Sequence, residues 1–311
     1  MPLSNKSLAV MESPVAEVSI QQRGLSTAVI ASCLARHWRL LLLVLVFLLL
    51  YGTVIVELLK DWYKSGDNAH GFFVPLVSGY LVWRKRRVLT KLHCKPNLAG
   101  LCIIIGSLAL LYLGSLGAEW FLTRISLVAA IVGLVLYFRG WQSLRALAFP
   151  LGFLLLMIPL PGIVYYQIVF PLQLLASRLA IFGLERLDLF PVVREGNLLI
   201  LPHYTLEVVE ACSGVRSLMS LLALALGYGY LAECRYAVRT LLILLVMPLA
   251  VLSNAFRDMV QAVIVRYQGL DIAEGNWHQL TGMLTFIFAA LLLLLTAQAL
   301  SKLYGNPQTT V

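Results

Sequence analysis

The sequence predicts an all-α polytopic membrane protein with about eight transmembrane helices. Of its 311 residues, 60% are hydrophobic and only 13% are charged, whereas soluble domains carry roughly a quarter charged residues. So few charges cannot cover the surface of the two soluble domains that this length would otherwise suggest. The composition therefore excludes a soluble enzyme and a disordered chain. No basic domain interleaved with aromatic residues is present, so a nucleic acid partner is excluded as well.

Apolar segments of nearly membrane-spanning length recur along the chain. Several are shorter than the ~20 residues that cross a bilayer, so we expect their ends to extend into flanking residues. The first lacks a small-residue cleavage site and is interpreted as an uncleaved span. Residues 1–37 are predicted to be a mobile cytoplasmic tail, 38–303 the membrane domain and 304–311 a C-terminal tail. The eight apolar segments centre on 40–56, 71–83, 98–117, 121–138, 146–165, 214–231, 240–256 and 280–300.

The distribution of basic residues predicts that both termini are cytoplasmic. With eight spans and an internal N-terminus, the cytoplasmic segments hold 15 of the 24 basic residues but only three of the 15 acidic ones. Lys and Arg accumulate in short cytoplasmic loops, so the net charge of +9 is first of all a signal of topology. The run Arg84–Arg87 alone would anchor one loop inside.

One stretch, about 160–210, does not have the composition of a span. It is predicted to be an extracytoplasmic insertion. The sequence QIVFPLQLLASRLAIFGLERL has apolar residues at helical spacing beside a polar stripe, which favours a helix lying in the membrane interface. The following FPVVREGNLLILPHYTLEVVE is rich in Val, Leu and Ile and is broken by Gly-Asn and Pro-His. It predicts a short β-hairpin before the sixth span.

Three residues capable of chemistry fall at one predicted face of the membrane. Cys212, in EACSGVRS, lies at the outer start of the sixth span, and Arg257, in SNAFRD, at the outer end of the seventh. His278, in GNWHQLTG, lies at the outer start of the eighth. Each has an ordinary structural role when taken singly, such as core packing, contact with lipid headgroups or an interfacial position. Together they predict a functional site, because short connections keep the three spans adjacent.

The three residue types fit nucleophilic catalysis. The positive potential at a helix N-terminus lowers the pKa of a thiol, and Cys212 directly precedes a long apolar helix. The imidazole of His278 can accept the thiol proton and later protonate a leaving amine. Arg257 keeps its charge and offers several donors to an oxyanion or a carboxylate.

Other polar residues are weaker candidates for supporting roles. Asn254 lies three residues before Arg257 on the same helical face. His70 is predicted on the outer side before the second span, and Glu210 could orient His278 or pair with Arg216. Ser213 and Gly214 follow the nucleophile directly. No metal or cofactor is predicted: the five cysteines form no CxxC pair, and HExxH, Walker A and GxSxG patterns do not occur.

At these residues the sequence resembles the exosortase/archaeosortase family of membrane transpeptidase-like cysteine enzymes. The resemblance rests on EACSGVRS, on NAFR ending at Arg257, and on His278 with Gly282 four residues later. It extends upstream to HGFFVPL, WRKR and REGN, and so covers roughly residues 60–300. It implies that Cys212, Arg257 and His278 correspond to the family's proposed catalytic triad.

The resemblance also implies a substrate class and a location. The expected substrates are secreted proteins with a C-terminal sorting signal of the PEP-CTERM type: a short motif such as Pro-Glu-Pro, a transmembrane helix and a basic tail. The expected location is the bacterial inner membrane, with the active site on the periplasmic side and a link to exopolysaccharide and biofilm export. The acceptor nucleophile, either an amine or water, stays open.

Three alternatives remain open from the residues alone. A transporter needs charged or helix-breaking residues near mid-bilayer in matching halves, whereas the polar residues here cluster at one face. A membrane component of an exopolysaccharide export or assembly system, without peptidase activity, does not need an ionisable thiol. An intramembrane acyltransferase could use the same three groups on lipid donors.

Overall fold

The protein is mainly helical, with one small antiparallel sheet. The structure, a computed structural model, describes residues 14–64, 66–93, 95–188, 190–196, 198–201, 205–207, 215–232, 235–269 and 276–304. Two short 3-10 helices, Gly66–Phe72 and Leu154–Met157, connect longer elements. The α-helices are α1 Pro14–Lys64, α2 Phe73–Arg84, α3 Arg86–Lys91, α4 Ala99–Leu116, α5 Trp120–Phe153, α6 Gly162–Arg186, α7 Val215–Leu231, α8 Tyr236–Gln268 and α9 Asn276–Tyr304.

Six helical stretches in the described part are long and apolar enough to cross a membrane. This finding agrees with a multi-pass membrane protein, but the predicted count of eight spans and the orientation are not confirmed. Helix α2 and the apolar stretch Leu218–Leu231 of α7 are too short to be counted among these membrane-spanning stretches. The six stretches are Trp38–Lys64, Ala99–Leu116, Trp120–Met157, Gly162–Arg186, Tyr236–Gln268 and Leu280–Leu303.

The chain divides into two compact units after Ile55. The first unit, up to Ile55, belongs to α1, and the leucines and valines of its 40–50 stretch are largely exposed, as expected of a surface that contacts lipid. Residues 14–37, predicted as a mobile tail, are helical in the structure. Their mobility and their cytoplasmic location stay predictions. The second unit, from Val56 onwards, contains all the other elements.

Helix α5 is interrupted at Gly140, and the chain reverses there. Gly140 has φ 79° and ψ −177°, a backbone conformation that is essentially restricted to glycine. Arg124, before the break, forms an ion pair with Asp61. After the break, Met157 accepts a 3.0 Å hydrogen bond from the Trp62 indole. Residues 124 and 157 would lie about 50 Å apart along a straight helix, yet they contact adjacent residues, so α5 consists of two segments running in opposite directions.

These contacts define two ends of the second unit. At the Trp62 end, the indole of Trp62 bonds to Met157, and the ring of His70 lies 3.1 Å from the carbonyl oxygen of Leu156. At the Lys85 end, Lys85 donates to the carbonyl of Ala146, and Arg84 donates to that of Leu231. Helix α7 therefore ends at the Lys85 end, and α8, which follows it, runs away from that end.

The small sheet lies where α6 and α8 end. Strands β1 Val193–Glu195, β2 Leu198–Ile200 and β3 Thr205–Glu207 pair antiparallel in the order β1-β2-β3. The predicted β-hairpin is therefore present, and β3 extends it. Leu199 of β2 is fully buried in a cluster with Leu184 of α6 and with Val265 of α8. This packing caps the same end of the bundle at which α8 finishes.

Helix α6 runs parallel to α8 along its described length. Leu172 and Ala176 share a core cluster with Val251 and Ala255 of α8, while Gly183, further along α6, lies against Met259. Both helices therefore advance toward the sheet. By length and composition α6 could cross a membrane, and its predicted interfacial position stays a prediction.

The break at Gly140 gives a direct stability prediction. A Cβ at this position would overlap the carbonyl oxygen of Lys95, and the positive φ adds backbone strain. We therefore expect Gly140→Ala to lower the free energy of unfolding by about 2 kcal/mol or more, measured by thermal unfolding in detergent. Gly106→Ala in α4 is the matched control, because nothing lies within 4 Å of its Cβ position. An equal or higher melting temperature for Gly140→Ala would contradict the strained reversal.

Candidate active site

Helix α8 carries a stripe of buried polar side chains in its second half. The side chains of Asn254, Arg257, Asp258 and Gln261 are all buried, with Asp258 only 1% exposed. Their spacing of three, four and seven residues places them along one side of the helix. Polar and ionisable groups within a membrane helix are costly and mark functional sites by default. The stripe is therefore the leading candidate site in the described part of the chain.

Helix α9 packs against this stripe at Gly282. An added Cβ on Gly282 would lie 3.4 Å from Cζ, 3.5 Å from Nη2 and 3.7 Å from Nε of Arg257. Three atoms of the planar guanidinium are nearly equidistant from this point, so the face of the guanidinium lies against the glycine. The neighbouring Thr281 is also buried. The missing side chain of Gly282 thus leaves room for the guanidinium between α8 and α9.

The contact between Arg257 and Gly282 also locates the backbone of His278. His278 lies in the first turn of α9, four residues before Gly282 and on the same side of the helix. Residues at this spacing are neighbours, with about 5–6 Å between their Cβ atoms. The structure thus places the backbone of His278 about one helical turn along α9 from the glycine that the Arg257 guanidinium contacts.

The described chain resumes close to this site at the start of α7. Helix α7 begins at Val215, and Leu218 in its first turn packs against the cluster that contains Val251 and Ala255 of α8. Arg216 lies in that first turn. The predicted nucleophile Cys212 lies outside the described residues, as do Glu210, Ser213 and Gly214.

His70 is held near the same end of the molecule. It lies in the 3-10 helix Gly66–Phe72, where its Nε2 is 3.1 Å from the carbonyl oxygen of Leu156. The indole of Trp62 packs over Gly71, which fixes this short helix against α1. The short helix also contacts α7. His70 therefore belongs to the shell of elements around the start of α7.

The structure adds buried residues that the sequence interpretation did not single out. Asp258 and Gln261 extend the Asn254–Arg257 face by one turn, and the spacing within NAFRDMVQ could have indicated them. Within the described chain, Asn254 Nδ2 and Asp258 Oδ2 have no hydrogen-bond partner. A buried polar atom without a partner costs about 1–3 kcal/mol. Such atoms are expected at a site where a residue outside the described part of the chain or a bound substrate supplies the hydrogen bond.

The chemistry available here is that of a permanently charged guanidinium in a buried setting. Arg257 can donate several hydrogen bonds, and burial away from bulk water strengthens each of them. No group of three or more His, Cys, Asp or Glu side chains that could hold a metal ion occurs among the described residues. The arrangement suits stabilisation of a developing negative charge.

This architecture defines a class: a multi-pass helical membrane protein with a buried polar cluster, containing one arginine, at one end. Within that class, the profile described as transmembrane exosortase matches residues 62–295, well over half of the chain. The chain belongs to the transmembrane exosortase family, as its motifs predicted. No curated protein and no solved structure shows significant similarity to it.

Proposed function

We propose that the protein is a cysteine peptidase or transpeptidase that removes C-terminal sorting signals from secreted proteins at the extracytoplasmic face of the bacterial inner membrane. The observation that carries this proposal is the burial of Arg257 against Gly282, one turn from His278, in a member of the exosortase family. Leu218, in the first turn of α7 and six residues after Cys212, packs against the cluster of Val251 and Ala255, within two turns of Arg257 on α8. These positions support a joint role for the three residues.

The proposed reaction begins with attack of the Cys212 thiolate on the scissile carbonyl carbon. A C–S bond forms and the carbonyl oxygen becomes an oxyanion, which receives hydrogen bonds from Arg257. His278, protonated by the thiol, then gives that proton to the leaving amine as the C–N bond breaks. The resulting thioester is resolved by an acceptor amine in transpeptidation or by water in proteolysis.

The remaining predicted residues support this centre. Glu210 orients His278 or pairs with Arg216. Ser213 and Gly214 shape the start of the helix that lowers the thiol pKa, and Asn254 neighbours Arg257 on α8. His70 lines the same end of the molecule. No cofactor or metal takes part.

The topology proposed with this function has eight passes and cytoplasmic termini. One pass each comes from α1, α4, α8 and α9, and the reversal at Gly140 supports two passes within α5. Helices α2 and α7 supply two short passes, and α6 lies at the membrane interface without crossing. The Lys85 end, rich in Arg and Lys, is then cytoplasmic. The Trp62 end, with the sheet and Arg257, is then periplasmic, where a secreted substrate carries its sorting signal.

Processing of a tailed reporter tests the proposed function. The reporter is a secreted protein ending in a Pro-Glu-Pro motif, a transmembrane helix and a basic tail, co-expressed with the enzyme in a bacterium without a related one. We expect immunoblots to show a shorter product that depends on the enzyme. A reporter that lacks the motif but keeps the helix and the tail is the control and should stay full-length. Processing of both reporters alike, or without the enzyme, would reject the proposal.

A further inference from the structure

Helices α8 and α9 pack antiparallel, and their register can be followed into the site. Arg257 of α8 lies against Gly282 of α9. Toward the start of α8, Val246 and Leu242 share a core cluster with Ala289 and Leu293, which lie toward the end of α9. The two helices therefore advance in opposite directions from the contact between Arg257 and Gly282.

One turn further in this register brings Gln261 opposite the turn that contains His278. Four residues forward from Arg257 on α8 is Gln261, and four residues back from Gly282 on α9 is His278. Gln261 is rotated only about 40° around the helix axis from Arg257, whereas Asp258 is rotated by about 100°. Gln261 is therefore the buried polar residue of α8 that continues the side facing α9.

Gln261 has the chemistry that an imidazole needs from a neighbour. It is 3% exposed, and its amide both donates and accepts hydrogen bonds without changing charge. The role of each imidazole nitrogen is set by the hydrogen bond that the other one makes. In cysteine enzymes with a Cys–His pair, a side-chain amide can serve as the group that orients the imidazole.

We propose that Gln261 is a positioning residue that fixes the ring orientation and tautomer of His278. This inference rests on the proposed function and, because it uses both ring nitrogens of His278, it leaves Glu210 the role of pairing with Arg216. The Gln261 carbonyl oxygen accepts the proton of one ring nitrogen and leaves the other nitrogen facing the thiol. That second nitrogen takes the Cys212 proton and passes it to the leaving amine, so Gln261 itself gains and loses no proton.

A comparison of two leaving groups tests this role. A peptide amide needs a proton from His278 when its amine departs, whereas a 4-nitrophenyl ester of the same motif leaves as a stable anion. We expect Gln261→Leu to lower kcat for the peptide about 10- to 100-fold with KM little changed, the range seen when the partner that orients a metal-bound histidine is lost. The loss on the ester should be at least about tenfold smaller. Gln261→Glu keeps an acceptor oxygen and should retain the wild-type ratio of amide to ester rates to within about threefold.

Gln173 supplies the matched control. It is a buried glutamine on α6, and the adjacent Leu172 packs on a different side of α8, with Val251. Gln173→Leu is expected to change the yield of folded protein while the amide-to-ester ratio stays the same. Equal losses on both substrates in Gln261→Leu, or failure of Gln261→Glu to keep the ratio, would overturn the positioning role. Peptide cleavage by Cys212→Ala would instead overturn the proposed function on which it rests.

Discussion

Cys212→Ala is expected to abolish processing of a tailed substrate, with a loss of at least about 1,000-fold in the rate of cleavage. Removal of the proposed nucleophile leaves only binding and oxyanion stabilisation. In enzymes with a catalytic triad, loss of the nucleophile costs about as much as loss of all three residues. The direct measurement is single-turnover cleavage of the reporter by purified enzyme in detergent. Mass spectrometry of the wild-type enzyme should also detect a thioester on Cys212 when the acceptor is withheld.

Cys102 provides the control for this substitution. It lies in α4 with its thiol exposed and free of a disulfide. Cys102→Ala should keep full activity, which separates loss of the nucleophile from a general effect of losing a thiol. The Cys212→Ala protein should still be inserted in the membrane and should keep the wild-type melting temperature. Residual cleavage within tenfold of the wild type would rule out Cys212 as the nucleophile.

Local patterns were sufficient to predict much of this fold. The apolar segment 98–117 coincides with helix α4 to within one residue at each end, and those at 240–256 and 280–300 lie within α8 and α9. The Gly-Asn turn between two runs of Val, Leu and Ile correctly predicted the hairpin of β1 and β2. These features depend on residues close together in sequence, because backbone hydrogen bonds within a membrane must be satisfied locally in a helix.

Contacts between distant residues could not be predicted in the same way. The ion pair of Asp61 with Arg124 and the hydrogen bond from Trp62 to Met157 link residues far apart in the chain. The local sequence around either residue of a pair does not indicate its partner. Only the packed structure shows that both contacts lie at the same end of the molecule.

The candidate site was predictable only where it depends on the spacing of residues within one helix. The helical spacing of Asn254 and Arg257 indicated an inward polar face, and the structure shows both side chains buried. Gln261 belongs to the same face, but its significance depends on the register of α8 against α9. That register is set by core packing across two helices and by the fit of a guanidinium against Gly282, which no single segment encodes.

Arg257→Gln is expected to lower kcat for the tailed substrate about 100- to 1,000-fold with KM little changed. An oxyanion exists only in the transition state and the intermediate, so the loss of a donor to it affects the chemical step rather than binding. Arg257→Lys should be nearly as damaging, because an ammonium offers a single point of donation and cannot lie flat against Gly282 as the guanidinium does. Steady-state kinetics on the purified variants gives both parameters.

Two further variants separate the guanidinium from its surroundings. Arg266→Gln removes a half-buried arginine later on the same helix, where its guanidinium lies over the ring of Tyr267, and it should keep kcat within about threefold. Gly282→Leu leaves Arg257 in the sequence but fills the space that its guanidinium occupies, so its kcat should fall as in Arg257→Gln. A loss confined to KM in Arg257→Gln would instead assign Arg257 to binding of a substrate carboxylate, because binding energy equal in ground and transition states leaves kcat unchanged.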